Sequence, residues 1–152
     1  MPSICNRITV QADIDTVFDR TNDIEHWTEL FTEYREAVVL ERREGYIRFR
    51  LTTFPDEAGK VRSWVSERFL DKPNNRITAR RLEPLMPFRH MNLEWTYGKT
   101  EDGGTEMVWI QEFEVDPASG LTDEQMTRHL NGNTVEQMAA VKANIEKSLI
   151  RG

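Results

Sequence analysis

Arg68 follows Ser66 by two residues and Trp64 by four in the run KVRSWVSERFL, residues 60–70. Alternate side chains of a strand share a face, so Trp64, Ser66 and Arg68 lie on one side and Val61, Val65 and Phe69 on the other. A guanidinium fixed beside an indole and a hydroxyl suits one kind of chemistry: holding negative charge as it develops on an oxygen, most strongly where water is excluded. Arginine keeps its proton at neutral pH, so it serves as a fixed cation rather than a base. Both faces of this strand look for shelter, which fits one wall of a ligand cavity. The same pattern also fits a surface arginine whose stem lies over Trp64.

Two later runs carry a related mixture. In residues 89–97, Met91, Leu93, Trp95 and Tyr97 share a face, with His90, Asn92, Glu94 and Thr96 on the other. In residues 105–115, Met107, Trp109, Gln111, Phe113 and Val115 line one face, which sets an amide inside an apolar row. A buried amide needs hydrogen-bond partners, and a ligand or trapped water can supply them. Glu94, Glu106, Glu112 and Glu114 alternate with these rows and read as solvated.

Positioning these residues takes a particular order of elements. Residues 4–10 read as a strand and residues 14–20 as a short helix entered from Asp13. Asn22 or Asp23 then caps a second short helix reaching Phe31. Six consecutive strand patterns follow, at residues 34–42, 45–54, 60–70, 75–82, 89–97 and 105–115. The longest helix spans residues 122–150, with Thr122 as N-cap and Gln125 completing a capping box. Met126, Leu130, Met138, Val141, Ile145 and Leu149 form its apolar stripe, and His129 and Asn133 sit together at its edge. This order predicts an α+β helix-grip fold: a curved seven-stranded antiparallel sheet around the C-terminal helix, with a cavity between them.

Composition narrows the function. The chain has 152 residues and a net charge of −6, which disfavours nucleic acid as a partner and fits a single domain spanning residues 1–152. No apolar run reaches membrane-spanning length, and the N-terminus carries no secretion signal, so a cytoplasmic location without membrane association is expected. The single cysteine, Cys5, has no ligand-spaced neighbours, and no glycine-rich phosphate loop or Gly-x-Ser-x-Gly elbow is present. Neither a metal nor a cofactor is expected.

The segments TNDIEHWTELFTEY (21–34), WVSER (64–68), MNLEWTY (91–97), GTEMVWIQEF (104–113) and MTRHLN (126–131) together resemble the single-domain, tetracenomycin-type aromatase/cyclases of bacterial type II polyketide synthases. These belong to the START-like helix-grip (START/Bet v-like) superfamily. The resemblance implies an enzyme that takes a linear poly-β-ketone from an acyl carrier protein, folds it, and closes and aromatises the first ring, between the ninth and fourteenth carbons. It implies a cofactor-independent aldol cyclase and dehydratase of lyase type, working with other synthase subunits as a monomer or homodimer. It also maps the pocket onto Trp27, Tyr34, Trp64, Ser66, Arg68, Met91, Trp95, Trp109, Gln111, His129 and Asn133. The loop EPLMPFR, residues 83–89, departs from the family pattern where it leads into the Met91 strand.

In such chemistry each step makes or consumes charge on oxygen. Arg68 is the candidate to hold that charge, and Tyr34 to pass a proton, the more readily if a nearby cation lowers its pKa. His129 is the candidate base, since histidine ordinarily titrates near neutrality. Trp27, Trp64 and Trp95 would hold a flexible chain folded, while Ser66 and Gln111 position water or carbonyls. Arg48, Arg50, Lys60 and Arg62 are candidates for docking an acidic carrier, or equally a solvated face. Two other functions fit the same fold: a non-catalytic carrier of lipids or polyketides, and a stress- or toxin-type helix-grip protein. A buried cation beside Tyr34 and His129 favours the enzyme over a passive apolar carrier.

Overall fold

A computed structural model describes residues 2–151, with side chains through residue 149. Its strands are β1 (Ser3–Val10), β2 (Tyr34–Arg43), β3 (Tyr46–Thr53), β4 (Ser63–Asp71), β5 (Arg76–Glu83), β6 (Phe88–Lys99) and β7 (Thr105–Val115). They form one open antiparallel sheet in the order β1-β7-β6-β5-β4-β3-β2. β1 and β2 are therefore opposite edges. The chain crosses between them through α1 (Ile14–Thr21), a 3-10 turn (Ile24–His26) and α2 (Trp27–Leu30). The long helix α3 (Asp123–Arg151) lies against β1, β7 and α2. This is the helix-grip architecture expected from the order of the sequence patterns.

Alternation sets the strand faces. In β3, Ile47, Phe49 and Leu51 are buried while Arg50 is exposed and Arg48 half-buried. Gly45 makes the turn before β3 at φ +70°, where an L side chain is strained, and its carbonyl accepts from the Leu70 amide at 2.9 Å. β4 begins at Ser63 rather than at Lys60. The cause is Asp56, whose carboxylate accepts from the amides of Ala58 and Lys60 at 2.9 Å each and commits Lys60 to a turn. Val61 is consequently off the strand and exposed. On the outer face of β4 Val65 is buried, Phe69 is exposed, and Glu67 is buried between Arg80 and the Tyr46 hydroxyl, at 2.8 and 2.9 Å.

The start of α3 is a capping box: the Gln125 amide donates to Thr122 Oγ1 at 3.1 Å, and the Thr122 amide donates to Gln125 Oε1 at 2.9 Å. Met126, Met138, Val141 and Ile145 are buried, Leu130 is half-buried, and Leu149 is exposed because the helix outlasts the core. Amide side chains fix the helix over the sheet. Gln137 accepts from the Thr32 amide at 3.0 Å and donates to its hydroxyl at 2.8 Å, and Asn144 donates to the Leu30 carbonyl at 2.9 Å.

The apolar interior is divided. One cluster gathers Val17, Phe18, Ile24, Trp27, Phe49, Ile77, Trp95, Trp109, Val141 and Ile145 among others. A second, at the start of α3, joins Ile4, Phe88, Met91, Phe113, Val115 and Met126. Between them the packing opens into a cavity. No helix among the described residues is long and apolar enough to cross a membrane.

Candidate active site

The cavity has a volume of about 900 Å³ and lies between α3 and the concave face of the sheet. Alternate positions on β4 bring Trp64, Ser66 and Arg68 to it; β6 brings Met91 and Trp95, and β7 brings Trp109 and Gln111. Trp27 enters from α2, Tyr34 from the first position of β2, and His129 and Asn133 from α3. All eleven residues singled out in the sequence thus line one space. Breaks in strand register follow Tyr34, precede Ser66 and follow Phe88, three residues of this wall. Such bulges turn side chains away from the regular pleat.

Arg68 is 1% exposed, and no carboxylate among the described residues pairs with it. Its Nε donates to Asn22 Oδ1 at 3.2 Å, and its Nη2 is buried with no protein partner. The guanidinium lies 4.2 Å from the Trp95 ring centre and 5.1 Å from that of Trp27. The indole beneath it is therefore not Trp64, as strand spacing suggests, because α2 and β6 bring their own tryptophans closer. Burial pulls its pKa down to about 10, with Tyr97 and Tyr34 acting in the opposite sense, and the group stays charged at neutral pH.

All four tryptophans of the chain stand in the wall. Trp95 and Trp109 stack at 4.0 Å with planes 5° apart. The series continues through Trp27, 6.1 Å from Trp95, to Tyr34 at 6.0 Å and then to Trp64, edge-on at 6.1 Å. Packed on one another in this way, the rings form a continuous aromatic wall along the cavity.

The polar residues differ in how free they are. Gln111 Nε2 donates to Thr134 Oγ1 at 2.6 Å, so α3 supplies a partner that the sequence left to ligand or water. Asn133 donates to Glu33 Oε2 at 2.9 Å. Tyr34 is buried, and its phenol is pushed well above its usual range by that burial and then by Glu33, against a smaller opposing pull from Arg68. Arg68 therefore does not make Tyr34 more acidic overall: desolvation outweighs it. His129 is exposed at the rim, which makes it a solvent-facing group rather than an enclosed one.

A family profile described as "Polyketide cyclase / dehydrase and lipid transport" matches residues 1–146. The chain belongs to this family. A Streptomyces cyaneus protein named as a candidate polyketide cyclase is 46% identical over 142 residues, 93% of this chain and 92% of its own length. The bifunctional cyclase/dehydratase of the actinorhodin polyketide synthase of Streptomyces coelicolor is 26% identical over 144 residues, 95% of this chain but 44% of that protein. Among solved structures, the Zhui aromatase/cyclase of Streptomyces sp. R1128 superposes with a TM-score of 0.81 at 25% identity, covering 99% of this chain and 94% of the other.

Within this polyketide cyclase fold the sequence left several residues unassigned. Arg81 is half-buried, with its guanidinium 4.9 Å from the Trp64 ring and 5.5 Å from Phe88. It donates to the carbonyls of Pro84 and Met86 at 2.7 and 3.1 Å, so the divergent loop is tied to the cavity wall. Thr21, Asn22 and Tyr97 form a buried network behind Arg68. Tyr97 shares the Trp95 face in the sequence, but nothing in spacing links it to a helix end 75 residues earlier.

Because the Tyr34 phenol keeps its proton, it can act as a donor to oxygen at neutral pH. Tyr34→Phe is expected to lower kcat for polyketide cyclisation by this chain roughly 10²-fold with little change in KM. The wild-type rate should show no alkaline fall from this group below pH about 10, since burial moves its pKa upward from the ordinary phenol value.

Proposed function

We propose that the chain is an aromatase/cyclase that receives a linear poly-β-ketone from an acyl carrier protein, folds it in the cavity, and closes and aromatises its first ring. The observation that carries this reading is the unpaired Arg68 guanidinium, buried against Trp95 with one nitrogen left without a protein partner. Enolate formation leaves negative charge on a ketone oxygen, which Arg68 holds. His129 at the rim takes the methylene proton. The nucleophilic carbon bonds to a distant carbonyl carbon, and Tyr34 gives its proton to the oxygen released from that double bond. Loss of that hydroxyl with a neighbouring hydrogen expels water, enolisation of the remaining ring ketones aromatises the ring, and the proton taken up by His129 is returned through solvent to Tyr34. The tryptophan wall keeps the reacting carbons together, and neither metal nor organic cofactor is assigned a step.

Delivery by a carrier protein, beside the other subunits of a type II synthase in the cytoplasm, belongs to the same proposal. Lys60 and Arg62 line the cavity and are exposed, while Arg50 is exposed on the outer face of β3 and Arg48 is engaged by Glu41 at 3.5 Å. The test is reconstitution with a ketosynthase, its chain-length partner and a loaded carrier, following aromatic first-ring product against spontaneous shunt compounds. The wild-type chain should shift the products toward the aromatic compound. A pocket that binds polyketide without changing rate or product ratio identifies a carrier instead. Arg50→Glu with Arg62→Glu should slow processing of carrier-bound substrate at low salt, with the gap to wild type closing as salt screens the interaction. Equal turnover at low salt removes these residues from docking.

A further inference from the structure

If Arg68 is the group that holds developing charge, as proposed above, something must aim it without cancelling it. We infer that Asn22 is a positioning residue: a neutral amide that orients the Arg68 guanidinium while leaving its positive charge free for an enolate or phenolate in the cavity. Asn22 is not part of the cavity wall. It ends α1, where its backbone amide donates to the Asp19 carbonyl at 3.3 Å, and its side chain is buried.

The hydrogen bonds around it run in one direction. The Thr21 hydroxyl donates to the Val17 carbonyl at 2.7 Å, so Thr21 Oγ1 is left to accept from the Tyr97 hydroxyl, also at 2.7 Å. The Tyr97 oxygen then accepts from Asn22 Nδ2 at 3.4 Å, and the same nitrogen donates to the Phe18 carbonyl at 2.8 Å. With its donors spent, the amide has to present Oδ1 to Arg68 Nε. An aspartate has almost the same shape and would form a buried ion pair. Nδ2 gains the bonds to Phe18 and Tyr97, yet leaving Arg68 without a counter-ion in the interior is unfavourable and is not explained by those bonds. It is well explained by a cavity that must keep a net positive charge for its ligand. A plain helix-end role accounts for the bond to Phe18 but not for the bond to Arg68.

The probes are 4-nitrophenolate and its uncharged methyl ether, 4-nitroanisole, titrated at a pH where the former is ionised. Wild type should prefer the anion. Asn22→Asp should lose roughly tenfold or more in nitrophenolate affinity and hold nitroanisole as before. Unchanged preference for the anion in a folded Asn22→Asp overturns the inference, provided that Arg68→Met abolishes that preference. If Arg68→Met also keeps it, the reading of Arg68 fails first. Asn22→Ala separates aim from charge and covers the case in which the aspartate variant does not fold. Nitrophenolate affinity should stay within about threefold, while kcat for ring closure falls roughly tenfold at nearly constant KM. A wild-type kcat in Asn22→Ala rules out a positioning role.

Discussion

Arg68→Met is expected to cut first-ring closure by about 10² to 10³, the usual effect of removing one preorganised group that stabilises an oxyanion. The fold should be as stable as wild type or more so. Arg68 is 1% exposed and unpaired, and replacing a buried ion by an apolar group of similar size is often neutral or stabilising. The two changes have opposite signs, which separates function from folding. Product ratios from the reconstituted synthase report the first, and a melting curve the second. Arg68→Lys should not restore activity, because an ammonium cannot both donate to Asn22 and lie flat at 4.2 Å from Trp95 while presenting a further N–H to the cavity. Undiminished closure in Arg68→Met removes Arg68 from the mechanism, and undiminished closure in Arg68→Lys shows that charge alone suffices there.

Trp95→Ala should instead damage both properties. Trp95 is buried, packs at 4.0 Å on Trp109, and supports the Arg68 guanidinium. Truncating a large aromatic of this kind costs about 3–5 kcal/mol. At roughly 2–4 °C per kcal/mol for a chain of this size, the melting temperature should fall by about 6–20 °C. The variant should also release more shunt product per turnover, because Arg68 loses the surface that fixes its plane. A melting temperature within a few degrees of wild type would show that the stack is not the central packing element its burial indicates.

The strands and α3 were legible because their side-chain periods are strong and their turns carry Gly, Asn and Asp at the needed places. Cavity residues were legible where a polar group interrupts an apolar row, as with Ser66, Arg68 and Gln111. What stayed hidden depends on how elements lean together. Strand spacing seats Arg68 beside Trp64, yet Trp95 and Trp27 reach it instead. Asn22 reads in the sequence as a candidate N-cap of the second helix, but it is the C-cap of α1, and its side chain reaches across 46 residues to β4. Tyr34 invites a lowered pKa from the nearby cation, but the sequence carries no measure of how completely the phenol is desolvated. The Lys60 start of β4 failed because Asp56 captures the turn.

The divided interior has a thermodynamic side. Members of both apolar clusters face the cavity, Trp27 and Trp109 from one and Met91 and Met126 from the other. A flat occupant that touches both becomes a shared part of the core, and its binding stabilises the folded chain. Under the proposed function, its grip strengthens as a pliable ketone chain becomes a rigid ring, which has less conformational freedom left to lose. Rapid catalysis in such a fold therefore favours handing the aromatic product onward, since the tightest complex forms only after the chemistry is over.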